Sequence, residues 1–67
     1  MSIARVTEIS ATSTTSFEDA VKDGISRANR SLRNVKSAWI KEQRVSVEDG
    51  NISHYQVNLM VTFILDD

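Results

Sequence analysis

Two alternating runs separated by Asp49 and Gly50 restrict the fold of this chain more than any other feature. Residues 36–48 and 51–65 each alternate apolar and polar side chains, a pattern typical of half-buried strands. Asp-Gly between two such runs favours a hairpin with a two-residue loop, because both loop residues take positive φ at low cost. That loop pairs positions whose residue numbers add up to 99. A three-residue bulged loop would shift the pairing by one, so both registers stay open.

The two-residue loop assigns the hairpin residues to two faces. It pairs Trp39 with Met60, Ile40 with Leu59, Gln43 with Gln56 and Arg44 with Tyr55. Alternation then gives an apolar face, made of Tyr55, Val57, Leu59, Val61, Phe63 and Leu65 with Ala38 and Ile40. The opposite face carries His54, Gln56, Asn58, Met60 and Thr62 with Ser37, Trp39, Lys41 and Gln43.

Between residues 17 and 34 the apolar period changes from two to about 3.6, which predicts an α-helix. Its apolar stripe comprises Phe17, Ala20, Val21, Ile25, Ala28 and Leu32. Thr15 (with Glu18 at capping-box spacing) and Ser16 are both candidate N-caps, and Asn34 is a candidate C-cap. Gly24 lies beside the stripe, where glycine indicates close approach of the helix to a sheet.

Residues 3–10 alternate as a short strand, and the hydroxyl-rich segment 10–16 reads as the turn that leads into the helix. The expected fold class is therefore α+β, with β-α-β-β order and a three-stranded antiparallel sheet packed on one long helix, in a single domain over residues 1–67. One helix can cover only one face of a sheet. The indole of Trp39 consequently projects from the uncovered face, where it must meet a neighbouring subunit, a ligand or water.

Size and composition narrow the classes of function. A chain of 67 residues buries too little surface for ample stability, and without cysteine it has neither disulfides nor thiolate zinc sites, so oligomerisation is expected. A net charge of −1 with mixed signs argues against a nucleic-acid binder. No apolar run is long enough to span a membrane, and no secretion signal is visible, so a cytoplasmic location is expected.

The segments EISATSTTSFEDAV, ISRANRSLRNV, EDGNISHYQV and VTFILDD together resemble the dodecins, a family of small flavin-binding proteins. The resemblance covers nearly the whole chain. It implies a sheet wrapped partly around one helix and twelve subunits assembled into a hollow shell. It also implies that riboflavin or FMN binds in pairs between subunits, stacked on a tryptophan and hydrogen-bonded by a glutamine, for storage and sequestration and not for catalysis.

The resemblance carries over to individual residues of this chain. Gln56, in its Tyr-Gln-Val context, matches the flavin-bonding glutamine, and Arg44 matches an arginine found before the hairpin turn in bacterial members. The position of the family's stacking tryptophan is occupied by Ser37, and Trp39 follows two residues later. Two residues along a strand keep the same face, displaced by roughly 6.6 Å. Trp39, Gln56, Arg44 and Ser37 are therefore the candidate flavin contacts.

Two other functions remain open. The first is a dodecin-like shell that binds no flavin and has a structural or ion-binding role, with Mg²⁺ or Ca²⁺ held near an oligomer axis by acidic side chains from Glu48, Asp49, Asp66 and Asp67. The second is a small enzyme at a subunit interface. Against an enzyme stand the single histidine, His54, and the lack of a nucleophile with a partnering base.

Overall fold

A computed structural model describes residues 3–65, which form three strands and one helix in β-α-β-β order. Strand β1 spans Ala4–Ser13, helix α1 Phe17–Ser31, strand β2 Val35–Glu48 and strand β3 Asn51–Ile64. The sheet is antiparallel with the order β1-β3-β2, so β3 is its central strand. The predicted α+β class, element order and hairpin are confirmed.

Helix α1 begins and ends through local hydrogen bonds. Of the two candidate N-caps the structure selects Ser16, whose side chain accepts a hydrogen bond of 3.0 Å from the Asp19 amide. The buried Ser13 hydroxyl braces this corner by donating to the Asp19 carboxylate at 2.7 Å. The helix ends at Ser31 with Leu32 as its C-cap, so the prediction of Asn34 as C-cap is wrong. Asn34 instead turns the chain towards β2 with a φ of 60°.

The core lies between α1 and the central strand. Val57, Leu59 and Val61 of β3 are at most 1% exposed, and they pack with Ala20 and Ala28 of the helix. The remaining residues of the predicted stripe, Phe17, Val21, Ile25 and Leu32, pack around this cluster. Each fully buried side chain of this size contributes roughly 1.5–3 kcal/mol to folding. The apolar stripe predicted from the sequence is therefore the helix face that forms the core.

Helix α1 covers less of the sheet than the alternation suggested. Ile40 pairs with Leu59 as predicted, but it is 46% exposed, and Leu65 is 41% exposed. The reason is that the helix packs against β1 and β3 and reaches β2 mainly at Val35 and Ala38. The apolar face therefore extends beyond what the helix buries.

Strand β1 ends three residues later than the alternation predicted. Residues 11–13, which we expected in a turn, pair with β3, and Ser13 lies opposite Tyr55. Of these residues only Thr12 favours strands by itself, so pairing with the long central strand decides this boundary. At the other end of the hairpin, Asp49 and Gly50 both take positive φ (51° and 78°), as the predicted two-residue loop requires.

Gly24 lies where the helix comes closest to the sheet. A Cβ atom built on Gly24 would sit 3.1 Å from Leu59 Cδ1 and 3.2 Å from Ala11 Cβ. Both distances are shorter than ordinary carbon–carbon contacts of about 3.5–4.0 Å. The predicted role of this glycine, close approach of helix to sheet, is confirmed.

We predict that Gly24→Leu destabilises the protein by about 1–3 kcal/mol, because the new side chain overpacks the contact with Leu59 and Ala11. Leucine has the higher helix propensity, so propensity alone would give the opposite sign. The measurement is urea unfolding at fixed protein concentration. Ser26→Leu, at an exposed position of the same helix, is the control and should change stability little. Equal stability of the two variants would contradict the close-approach role.

Candidate functional site

Three register shifts interrupt the β2–β3 pair, at Lys36, Lys41 and Ser53, and the bulges at Lys41 and Ser53 decide which of the candidate site residues share a face. Next to the loop the register is the predicted one, and Glu48 pairs with Asn51. A bulge at Ser53 shifts the pairing by one, and a second bulge at Lys41 shifts it back. Trp39 opposite Met60 is therefore confirmed, as Ile40 opposite Leu59 was.

Between the two bulges the predicted pairs are wrong. Arg44 lies opposite Gln56 and not Tyr55, while Gln43 lies opposite Val57 and not Gln56. Because opposed residues project to the same side of an antiparallel sheet, Gln43 moves to the helix-covered side and Arg44 moves to the uncovered side. The side of the sheet away from α1, here called the open face, consists of Val6, Glu8, Ser10 and Thr12 of β1, Gln56, Asn58, Met60 and Thr62 of β3, and Ser37, Trp39, Lys41, Glu42 and Arg44 of β2.

Trp39 presents its indole on the open face with 51% of the residue exposed. Its partner Met60 is half-buried beneath it on the central strand. Gln56 lies four residues from Met60 along β3, which corresponds to about 13 Å of strand. Within one chain the indole and the Gln56 amide thus stand at two ends of a shared surface.

Ser37 lies opposite Thr62, two residues further from Gln56 than Trp39 is. It is exposed and also borders a groove of about 470 Å³ between α1 and β2, with Val21, Ile25 and Lys36. A serine here offers a hydroxyl but no flat apolar surface. The structure therefore brings Trp39, Gln56 and Arg44 onto one face and leaves Ser37 at its margin.

A chain of polar contacts crosses the open face from β2 to β1. Arg44 Nη2 lies 3.5 Å from Glu42 Oε1, and the same carboxylate oxygen accepts a hydrogen bond of 2.6 Å from Asn58 Nδ2. Gln56 Nε2 donates to Asn58 Oδ1 at 3.4 Å and to Ser10 Oγ at 3.0 Å. The Gln56 amide is therefore held in place by Ser10 of β1 and Asn58 of β3, and Glu42 of β2 contributes through Asn58.

An ion pair lies on the open face between this chain of contacts and Trp39. Lys41 Nζ and Glu8 Oε1 are 3.1 Å apart, joining β2 to β1 across the central strand. Both side chains are about half exposed, so the pair contributes little stability. Its effect is to compensate charge in the middle of the open face.

The open face of one chain is a surface and not a cavity. A groove of about 530 Å³ lies elsewhere, between β1 and α1, where Thr7, Asp23 and Arg27 contribute to its walls. A flat ligand on the open face would therefore need a second surface to cover it.

Glu42, Asn58 and Ser10 belong to this site, but sequence reasoning gave them no role. Asn58 was placed on the correct face, whereas strict alternation puts Glu42 on the face of the helix. Only the bulge at Lys41 turns its carboxylate towards Asn58. No residue type marks such a bulge in the sequence, so Glu42 could not be found from it.

His54 and the hairpin acids form no catalytic or metal cluster. His54 is exposed, and its Nδ1 lies 3.1 Å from Ser53 Oγ, whose own proton is donated to the Ser46 carbonyl. The histidine is therefore not placed to activate that hydroxyl. Across residues 3–65 no three His, Cys, Asp or Glu side chains converge as a metal site, and Asp66 and Asp67 lie outside the described residues.

In the same range no helix has the length and apolar character to cross a membrane.

The architecture places this chain among the small α+β proteins in which one helix covers one face of an antiparallel sheet. The family model for dodecin matches residues 3–66. The chain belongs to the dodecin family, as its resemblance indicated.

Individual relatives agree with this assignment. The chain is 33% identical over 63 residues to the calcium dodecin of Mycobacterium tuberculosis, covering 94% of this chain and 89% of that protein. The solved structure of dodecin from Streptomyces davaonensis matches with a TM-score of 0.92 and 38% identity, over 98% of this chain and 97% of that one. The structure of the calcium-chelating calcium dodecin from M. tuberculosis matches with a TM-score of 0.82 and 32% identity, over 96% of this chain and 91% of that one.

We predict that Arg44→Cys with Gln56→Cys forms an intramolecular disulfide under mild oxidation, because the two residues are directly opposed on one face. The chain has no cysteine of its own, so free-thiol counting and mass spectrometry read the result directly. Gln43→Cys with Gln56→Cys is the matched control and should stay reduced, since its side chains point to opposite faces. A disulfide in the control variant and not in the first variant would indicate the unbulged register and contradict the site described here.

Proposed function

We propose that this protein binds riboflavin or FMN without turning it over, and stores or sequesters the flavin in a homo-oligomeric shell. The observation that carries the proposal is the register of the hairpin, which places Trp39, Gln56 and Arg44 on one face that the helix leaves uncovered. In the proposal Trp39 stacks on the flavin, Gln56 bonds its polar edge, and Arg44 and Ser37 make secondary contacts.

The chemistry of these side chains suits a flavin. An isoalloxazine is flat and largely apolar, and an indole offers it offset stacking worth roughly 1 kcal/mol beyond the area buried. Its pyrimidine edge alternates hydrogen-bond acceptors and a donor, which an amide side chain such as Gln56 can meet. Met60 adds a polarizable side chain beside the indole. Nucleophile and base pairs, which catalysis would need, have no counterpart on this face.

The shifted tryptophan is compatible with this role. Moving the indole from position 37 to Trp39 keeps it on the open face, because Ser37 and Trp39 pair with Thr62 and Met60 on the same side of β3. It also brings the indole roughly 6.6 Å closer to the amide of Gln56. The stacking surface is thus displaced within the site and not removed from it.

Exposed apolar surface supports assembly into a homo-oligomer. Val45, Val47 and Ile52 of the hairpin end are 38–61% exposed, as is Ile40 at 46%. Within one subunit the described residues leave these side chains exposed, so a neighbouring copy is needed to bury them. Family membership supports the dodecamer as the specific form, and a neighbouring subunit would supply the second surface that the open face lacks.

We predict that the fluorescence of riboflavin and of FMN is quenched when either flavin is titrated into the apo-protein. Trp39→Ala should weaken binding about tenfold, because stacking and buried area are lost. The measurement is flavin fluorescence at fixed protein concentration. Lys22→Ala, at an exposed position of the helix on the other side of the sheet, is the control and should bind flavin as the wild type does. Absence of quenching with both flavins would refute the storage role.

A second candidate function is a dodecin-like shell that binds ions and no flavin. The relative that favours it is the calcium dodecin of M. tuberculosis. In this chain the oxygen ligands would come from Glu48 and Asp49 at the hairpin turn, where copies of the chain could meet around a symmetry axis.

The ion-binding alternative predicts saturable Ca²⁺ or Mg²⁺ binding by calorimetry that Glu48→Gln with Asp49→Asn abolishes. Asparagine tolerates the positive φ of position 49, so the double variant removes charge without straining the turn. Glu18→Gln with Asp23→Asn removes the same charge from the exposed helix surface and should leave ion binding intact. Ion binding that survives the hairpin variant would rule out these ligands.

A further inference from the structure

In the hydrogen bonds that lead to Gln56, Glu42 determines which group donates and which accepts. A carboxylate accepts hydrogen bonds and has none to donate when ionised. Asn58 therefore turns its Nδ2 group towards Glu42 Oε1, where the hydrogen bond is 2.6 Å long. The other end of the same amide, Oδ1, then faces Gln56.

The orientation of Asn58 in turn determines that of Gln56. Because Asn58 presents Oδ1, an acceptor, Gln56 turns its Nε2 group towards it and donates over a distance of 3.4 Å. The second hydrogen of Nε2 goes to Ser10 Oγ at 3.0 Å. A hydroxyl can donate or accept, so Ser10 adapts to either orientation and does not oppose the one that Glu42 imposes.

As a result, the side-chain amide of Gln56 has its nitrogen engaged and its oxygen, Oε1, available to a ligand. Both hydrogens of Gln56 Nε2 have acceptors, and within residues 3–65 no donor reaches Gln56 Oε1. The half-buried glutamine thus offers a ligand a carbonyl oxygen and no N–H.

We infer that Glu42, acting through Asn58, is a positioning residue that makes Gln56 a hydrogen-bond acceptor and so selects ligands carrying an N–H donor on their polar edge. This inference rests on the proposed flavin binding. In a flavin the matching group is the imide N3–H, which lies between two carbonyl oxygens that Gln56 Oε1 cannot bond.

The test compares riboflavin with riboflavin methylated at N3, which keeps both carbonyls and loses the donor. Each is titrated by fluorescence quenching into the whole wild-type protein. We expect the methylated flavin to bind at least about tenfold more weakly, from one lost hydrogen bond together with an unpaired acceptor.

Glu42→Lys separates orientation from the added bulk of the methyl group. Lysine only donates, so Asn58 should rotate its oxygen towards position 42 and its Nδ2 group towards Gln56. Gln56 would then expose Nε2, and the two flavins should bind within about threefold of each other, since an N–H can bond the carbonyls that both retain. The steric demand of the methyl group is the same in both proteins.

Glu8→Lys is the matched control. It makes the same change of charge on the same face, beside Lys41, just as position 42 lies beside Arg44. Glu8 is not part of the chain of contacts to Gln56, so this variant should discriminate between the flavins as the wild type does. Glu42→Ala serves as a second variant if the lysine disturbs assembly, and it should lower the discrimination because no acceptor then orients Asn58.

The outcomes separate this inference from the proposed function. Discrimination in the wild type and in Glu8→Lys, lost in Glu42→Lys, supports it. If riboflavin binds but the wild type does not discriminate, or if the Glu42 variants discriminate as the wild type does, the inference is overturned and flavin storage stands. If riboflavin does not bind to the wild type, flavin storage fails and the inference falls with it.

Discussion

Packing of α1 onto the central strand is the contact on which the rest of the structure depends. Val57, Leu59 and Val61 are almost completely buried by the helix, and Gly24 lets the two backbones approach closely. This single layer of contacts uses the one helix that residues 3–65 form. The other side of the sheet is consequently left to meet something outside the chain, which is why the candidate site lies there.

The bulge at Lys41 determines the chemical character of that open side. One extra residue in β2 exchanges the faces of all residues up to the next bulge, because side chains alternate with a period of two. Arg44 and Glu42 are thereby turned towards Gln56 and Asn58, and Gln43 is turned away. A uniform strand would have placed a neutral amide where the structure has a guanidinium and a carboxylate.

A single chain holds the parts of the proposed flavin site without enclosing it. Trp39 at one end and Gln56 at the other are separated by about 13 Å of strand, and within residues 3–65 both stay at least partly exposed. Tryptophan and arginine are also the residue types enriched at the centres of protein interfaces. In the proposed function, assembly and ligand binding would therefore use the same exposed surface, and a neighbouring subunit would cover the ligand.

Features that depend on residues close together along the chain were determined by the sequence alone. The Asp49–Gly50 loop, the apolar stripe of the helix and the close approach at Gly24 follow from local backbone preferences and periodicity, and the structure confirms each. The tertiary structure alone decided the ends of β1 and α1, the face on which Arg44 lies and the part played by Glu42. These depend on pairing with a long central strand, whose bulges have no signature in residue type, so a period of two could not reveal them.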